Sequence, residues 1–159
     1  MKIIYYDVIR KSEETEAEIE ATFYSDLATM LGLSDCIVLA TPASPTGSKL
    51  ICRSTLSQFK KGSRFVNIAR GSLVDEDALV EALESGRIVG AMLDVHEHEP
   101  KVNEKLASMR GVVLTCHNAG GTLETHYGFE RISMENIDAV LKGKEPLSPV
   151  NLHLMSNHK

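Results

Sequence analysis

Short apolar runs recur along this chain of 159 residues, separated by polar or amphipathic stretches of helix length. This alternation constrains the fold more than any other feature. A strand–helix–strand rhythm is satisfied by parallel strands with helical crossovers. The runs are KIIYY (Lys2 to Tyr6), CIVLA (Cys36 to Ala40), RFVNIA (Arg64 to Ala69), IVGAMLDV (Ile88 to Val95) and VVLTC (Val112 to Cys116). The last two alternate too little for half-exposed strands, which predicts parallel strands buried on both faces. The expected class is α/β, a mostly parallel sheet with flanking helices.

Between the runs, Asp26 is placed to cap a helix over LATMLGL, and a helical segment from Ser54 to Phe59 stops at Gly62. Asp75 caps the clearest helix, EDALVEALESG, in which Leu79, Val80 and Leu83 share a face and Gly86 ends the run. A long amphipathic helix spans Thr122 to Lys142. Tyr127, Ile132, Ile137, Val140 and Leu141 supply its apolar surface, and Gly143 closes it. Pro42 and Pro45 keep Thr41 to Gly47 out of helix. The acidic segment from Arg10 to Thr22 reads as a solvated loop. With no linker, internal repeat or low-complexity tract, residues 1–159 read as a single domain.

A net charge of −5 and a pI near 5.7 offer no electrostatic footprint for nucleic acid or an anionic membrane. No apolar run approaches the roughly 20 residues that span a bilayer, and MKIIYYD has no signal-peptide pattern. Cys36, Cys52 and Cys116 are odd in number and lack paired spacing. They are expected to be buried, unreactive thiols in a reduced, cytoplasmic compartment.

In a parallel sheet, ligands bind beyond the carboxyl ends of the strands. The polar residues that follow the runs are Asp7, Thr41 to Ser44, Arg70, Asp94 to Glu99, and His117 to Thr122. All five clusters are expected on one edge. Asp7 suits the acid that accepts hydrogen bonds from an adenosine ribose, or is ordinary turn chemistry. Arg70 suits bidentate recognition of a carboxylate, or a surface salt bridge. Glu99 and His117 suit an acid–base pair in which the carboxylate orients the imidazole and stabilises its protonated form, or are unrelated loop residues. His96, His98 and His117 raise a zinc reading, weakened by Pro100 and by the absence of finger spacing.

The stretches SDCIVLATPASPTG (Ser34 to Gly47), NIARGSLVDEDALVEAL (Asn67 to Leu83), GAMLDVHEHEP (Gly90 to Pro100), LTCHNAGGT (Leu114 to Thr122) and PLSPVN (Pro146 to Asn151), in that order, resemble the D-isomer-specific 2-hydroxyacid dehydrogenases. The resemblance implies a Rossmann-like sheet and hydride transfer between NAD(H) and a small 2-keto or 2-hydroxy acid, glyoxylate and hydroxypyruvate being typical. It assigns substrate binding and carbonyl polarisation to Arg70, general acid/base work to His117, and the support of that imidazole to Glu99. It implies a cofactor lined by Thr41, Pro42, Ala43, Ile68, Ala69 and Gly120, with Asp94 fixing the nicotinamide carboxamide and Asp7 the ribose. Asp7 favours NAD, while Arg10 nearby leaves NADP open.

The chain departs from that pattern at Cys116, where the family usually has proline, and at Ala119, where glycine is usual. It carries no G-x-G-x-x-G turn. The resemblance therefore implies part of a dinucleotide-binding domain, with Met1 an internal methionine of a longer enzyme and the chain inactive by itself. A sheet without its first strand is expected to pair with another copy as a homo-oligomer, to rearrange, or to be unstable. Two rival readings are a non-catalytic, NAD-responsive binding module or remnant, and a metal-dependent hydrolase.

Overall fold

The computed structural model describes residues 1–43 and 46–150, so Ser44, Pro45 and Asn151 of the stretches above lie outside the described residues. Two compact units emerge, Met1–His117 and the residues from Asn118 on. In the first unit, β1 (Ile3–Tyr5) pairs in parallel with β2 (Ala21–Phe23). A separate parallel sheet has the order β3 (Cys36–Leu39), β4 (Ser63–Asn67), β5 (Ile88–Leu93), β6 (Val112–Leu114). The helices of this unit are α1 (Glu13–Glu18), α2 (Leu27–Leu33), α3 (Arg53–Leu56), α4 (Glu76–Glu84) and α5 (Glu104–Ser108), with a 3-10 turn at Gly71–Leu73. The expected class is observed, and with it the mostly parallel pairing.

Local chemistry explains the helix starts. Asp26 accepts a hydrogen bond from Thr29 N at 2.8 Å, and Asp75 accepts one from Ala78 N at 3.0 Å. Each satisfies an amide that the helix itself leaves unpaired. Gly86 ends α4 with φ +69°, a backbone conformation open to glycine at little cost. Leu79, Val80, Ala78 and Ala82 of α4 are buried and Leu83 is partly so. With Leu31, Ile37, Leu39, Leu56, Phe59, Phe65, Ile88, Leu93 and Leu106 they form one core between the helices and a single face of the four-stranded sheet.

Three expectations are corrected. The run from Arg10 to Thr22 is not a loop but contains α1 and the start of β2. Ser12 caps Thr15 N at 3.3 Å, three glutamates occupy the first turn where the helix dipole favours them, and Tyr5 packs on Phe23 at 5.3 Å. Second, β5 and β6 are not buried on both faces. Val89, Met92 and Val113 are exposed, as is Val38 of β3, because the helices of this unit pack on one face of the sheet. Third, the thiols are not buried: Cys36 and Cys116 are exposed and Cys52 is intermediate. Cys36 falls on the outward phase of β3, and Cys52 N-caps α3, where hydrogen bonds from Ser54 and then Thr55 lower its thiol to about 7.

The second unit is built on α6 (Leu123–Leu141), close to the bounds expected. Thr122 caps Thr125 N at 3.2 Å, and Gly143 closes the helix with φ +69°. Asn136 bonds Ser148 through both side-chain ends, at 3.1 Å each, tying the following segment back to the helix. Tyr127, Ile132, Ile137, Val140 and Leu141 are all exposed. Among the described residues no helix is long and apolar enough to cross a membrane.

Candidate active site

Because β3 to β6 are parallel, the segments that follow them leave from one edge of their sheet. Thr41 to Ala43 follow β3, Arg70 follows β4, Asp94 to Glu99 follow β5, and His117 follows β6. Asp7 follows β1, which belongs to the other sheet. The single row of five clusters is thus four on one sheet and one on another. Gly120 lies in the second unit, in the turn before α6.

The Glu99 and His117 side chains meet. His117 Nδ1 lies 3.0 Å from Glu99 Oε2, with both side chains partly exposed, at 48% and 38%. A carboxylate only accepts, so Nδ1 carries the proton and Nε2 is the ring nitrogen turned away from Glu99. The other carboxylate oxygen, Oε1, accepts the His96 backbone N–H at 2.9 Å. These two hydrogen bonds, that of His117 first, hold the Glu99 carboxyl below the usual carboxylate range. His117 N donates to Asp94 O at 2.8 Å, and its φ is +56°. A non-glycine residue in that region is strained and persists where its surroundings over-determine it. The Glu99–Pro100 peptide is cis.

Arg70 is exposed, and among the described residues it has no carboxylate within ion-pair distance. Among the described residues, the salt-bridge alternative does not form. Its Nη1 donates to the Ala69 carbonyl at 2.6 Å. The turn that presents it is shaped by buried Asn67, which accepts from Ala69 N at 3.0 Å and donates to Arg70 O at 3.2 Å. Gly71 follows, and a Cβ there would run into the His96 carbonyl. The Arg70 turn and the segment after β5 are packed backbone to backbone.

At the remaining positions, Asp94 is 3% exposed, and its Oδ1 accepts the Thr115 hydroxyl at 2.5 Å. Ile68 is exposed and Ala69 buried. Thr41 is intermediate, Pro42 and Ala43 exposed. The Asp7 side chain is 40% exposed, with Lys11 Nζ at 3.5 Å. Arg10 is committed elsewhere. It makes two hydrogen bonds to Glu16, at 2.8 and 2.7 Å, and lies 5.7 Å from the Phe23 ring centroid.

The candidate zinc ligands do not converge. The His96 side chain is 5% exposed and bonded to the Thr115 carbonyl, whereas that of His98 is 79% exposed. Among the described residues no group of three His, Cys, Asp or Glu is arranged to hold a metal ion.

Several residues of the site escaped the sequence reading. Asn67 could have been flagged as a polar residue closing an apolar run. Thr115 had no such signal. Lys49 and Glu76, distant in the chain from Glu97 of the expected cluster, had none either, yet Lys49 Nζ meets Glu97 Oε1 at 2.5 Å. Glu76 and Glu97 exchange backbone-to-carboxylate hydrogen bonds at 3.2 and 2.9 Å.

In sequence and fold the chain is similar to known proteins. The chain is 40% identical to a glyoxylate reductase of Pyrococcus horikoshii over 159 residues, which are 100% of this chain and 47% of that protein. It therefore spans about half the length of the curated relatives it matches. Among solved structures, the holo form of Rhodotorula graminis D-mandelate dehydrogenase superposes with a TM-score of 0.90 at 41% identity, covering 95% of this chain and 44% of that one. D-lactate dehydrogenase with NAD+ from Lactobacillus jensenii gives 0.82 at 32% identity, covering 94% and 48%. The family model described as "D-isomer specific 2-hydroxyacid dehydrogenase, NAD binding domain" matches residues 1–119, and the chain belongs to that family.

Proposed function

We propose that this chain supplies the NAD(H) site and the acid–base pair of a cytoplasmic, homo-oligomeric dehydrogenase that interconverts small 2-keto and 2-hydroxy acids, glyoxylate and hydroxypyruvate among them. The observation that carries the reading is the Glu99–His117 pair at 3.0 Å, on the same sheet edge as an arginine with no carboxylate partner among the described residues. The name of the Pyrococcus relative, glyoxylate reductase, supports the substrate class.

The donor set fits a nicotinamide dinucleotide. Asp94 closes the central strand β5 with a carboxylate, an acceptor suited to a carboxamide N–H. Thr41 to Ala43 and Ile68–Ala69 follow the adjoining strands, where backbone can line the cofactor. Asp7 is partly exposed and suits a ribose diol, while Arg10 is taken up by Glu16, which favours NAD over the 2′-phosphorylated form. When bound, the nicotinamide supplies or accepts the hydride.

The chain's own groups do the rest. Arg70 holds the substrate carboxylate through its planar fork and draws charge toward the carbonyl. His117 gives a proton from Nε2 to the carbonyl oxygen in reduction and takes it back in oxidation. Glu99 stays ionised, since its carboxyl is held below the usual range, and fixes the ring so that Nε2 points away from it. A hydrolytic metal reading has no such set of groups behind it among the described residues.

The test grafts these 159 residues into the Pyrococcus horikoshii enzyme in place of the segment they match, and follows NADH and NADPH oxidation with glyoxylate. The expected outcome is turnover with a preference for NADH. A folded graft that binds NADH but reduces no 2-keto acid would favour the non-catalytic binding module instead.

A further inference from the structure

His96 is buried, with 5% of its side chain exposed, where an apolar ring would need no hydrogen-bond partner. Its imidazole instead bridges two strand ends. Nε2 lies 2.9 Å from the Thr115 carbonyl. A carbonyl only accepts, so Nε2 carries the proton and donates. Thr115 stands two residues before His117, and its hydroxyl is given to Asp94. From the other side, the His96 backbone N–H donates to Glu99 Oε1 at 2.9 Å, while Glu99 Oε2 receives the His117 ring at 3.0 Å. One residue thus anchors the chain that carries each member of the pair.

His96 is itself held on two further sides. The Gly71 backbone packs against its carbonyl, and the next residue, Glu97, is clamped by Glu76 and Lys49. Nδ1 has no hydrogen-bond partner among the described residues, and Glu76 Oε1, at 3.9 Å, is out of reach. Among the described residues, the ring's one hydrogen bond is that to Thr115.

We propose that His96 is the positioning residue of the Glu99–His117 pair: it joins the ends of β5 and β6 at the separation that lets Glu99 reach the imidazole and His117 hold its left-handed backbone conformation. The inference rests on the function proposed above, since only there does the placement of the pair bear on catalysis. Its core can be read without turnover.

The experiment compares His96→Leu, which removes the donor at similar volume, with His96→Gln, which keeps an amide donor. Carboxyl-detected NMR titration of Glu99 in the 159-residue chain reads the pairing directly. In His96→Leu, the Glu99 carboxyl is expected to titrate higher, toward the ordinary carboxylate range, and the His117 ring signals to lose their response to it. His96→Gln is expected to restore most of both. In the graft, His96→Leu should lower kcat by roughly 10²-fold, the scale of a small misplacement of reacting groups, with KM for the keto acid little changed.

A folded His96→Leu whose Glu99 titrates as in the unmodified chain would overturn the proposal, as would a His96→Gln no better than His96→Leu. Should His96→Leu not fold, Glu99→Ala reads the same link in reverse. Its His96 amide and Nε2–H are expected to lose protection from exchange, and unchanged protection of both would equally overturn the proposal. A graft that reduces no keto acid, with the pairing and its dependence on His96 intact in the chain, would remove the proposed function and leave the positioning role standing.

Discussion

The two sheets of the first unit are held by different forces. The four-stranded sheet rests on an apolar core in which Phe65, Leu79 and Ile88 are 0% exposed and Phe59 packs on Phe65 at 6.0 Å. In the two-stranded sheet, α1 buries no residue. What ties α1 to β1 and to the segment carrying Arg10 is Glu16, which accepts from Tyr5 at 2.8 Å and from Arg10 at 2.8 and 2.7 Å, with the Arg10 and Tyr5 side chains against Phe23. Apolar burial is indifferent to moderate changes of pH and salt, whereas an exposed ion pair is screened and titrated. The candidate acid–base pair therefore stands on the robust sheet, and Asp7 on the sensitive one.

The largest expected effect in that comparison is Phe65→Ala, which should cost ~3–5 kcal/mol in urea unfolding of the chain, as for other buried phenylalanines. Phe23→Ala should cost about 1 kcal/mol, near the centre of point-mutant effects. Equal losses at the two positions would break the comparison. Asp75→Ala, which leaves the Ala78 amide without its cap, should cost about 1 kcal/mol, read by the same unfolding curve.

The smallest effect should separate the sheets by pH. Hydrogen bonds from Arg10 first, then Tyr5, lower the Glu16 carboxyl to about 2. A carboxylate depressed on folding contributes stability above its unfolded value, and that contribution is lost as pH falls from the ordinary carboxylate range through about 2. Over that window the NMR signals of Tyr5 and Phe23 should move together, those of Phe59 and Phe65 far less. Glu16→Gln should remove most of the change. Parallel movement of all four rings would show that one cooperative core holds both sheets.

The same division explains what could be read from sequence. Where apolar spacing and caps decide, as for α2, α4 and α6, the sequence reading and the structure agree to within a few residues. It failed at Arg10 to Thr22, because β2 and α1 owe their order to partners outside the segment, Tyr5 above all, and acidic composition masked the cap at Ser12. It also failed on exposure. A strand's apolar run says that burial is favourable, not which neighbour supplies it, and so Val89 and Val113 stand exposed. At the site, residue type and position after a strand made Arg70, Glu99 and His117 candidates, and the family resemblance gave them their expected roles. The supports at His96 and Thr115 depend on pairings across strand ends, which spacing along the chain does not encode.

The central claim is that His117, oriented by Glu99, moves the proton in a 2-keto acid reduction. The most direct measurement is steady-state NADH oxidation with glyoxylate by the graft and by its His117→Ala variant from pH 5 to 9, with NADH affinity determined separately by fluorescence. The account predicts a ~10²–10⁴-fold loss of kcat in the variant, the usual contribution of a general acid, with NADH affinity nearly unchanged. Full turnover by His117→Ala, in a graft whose unmodified form is active, would contradict it.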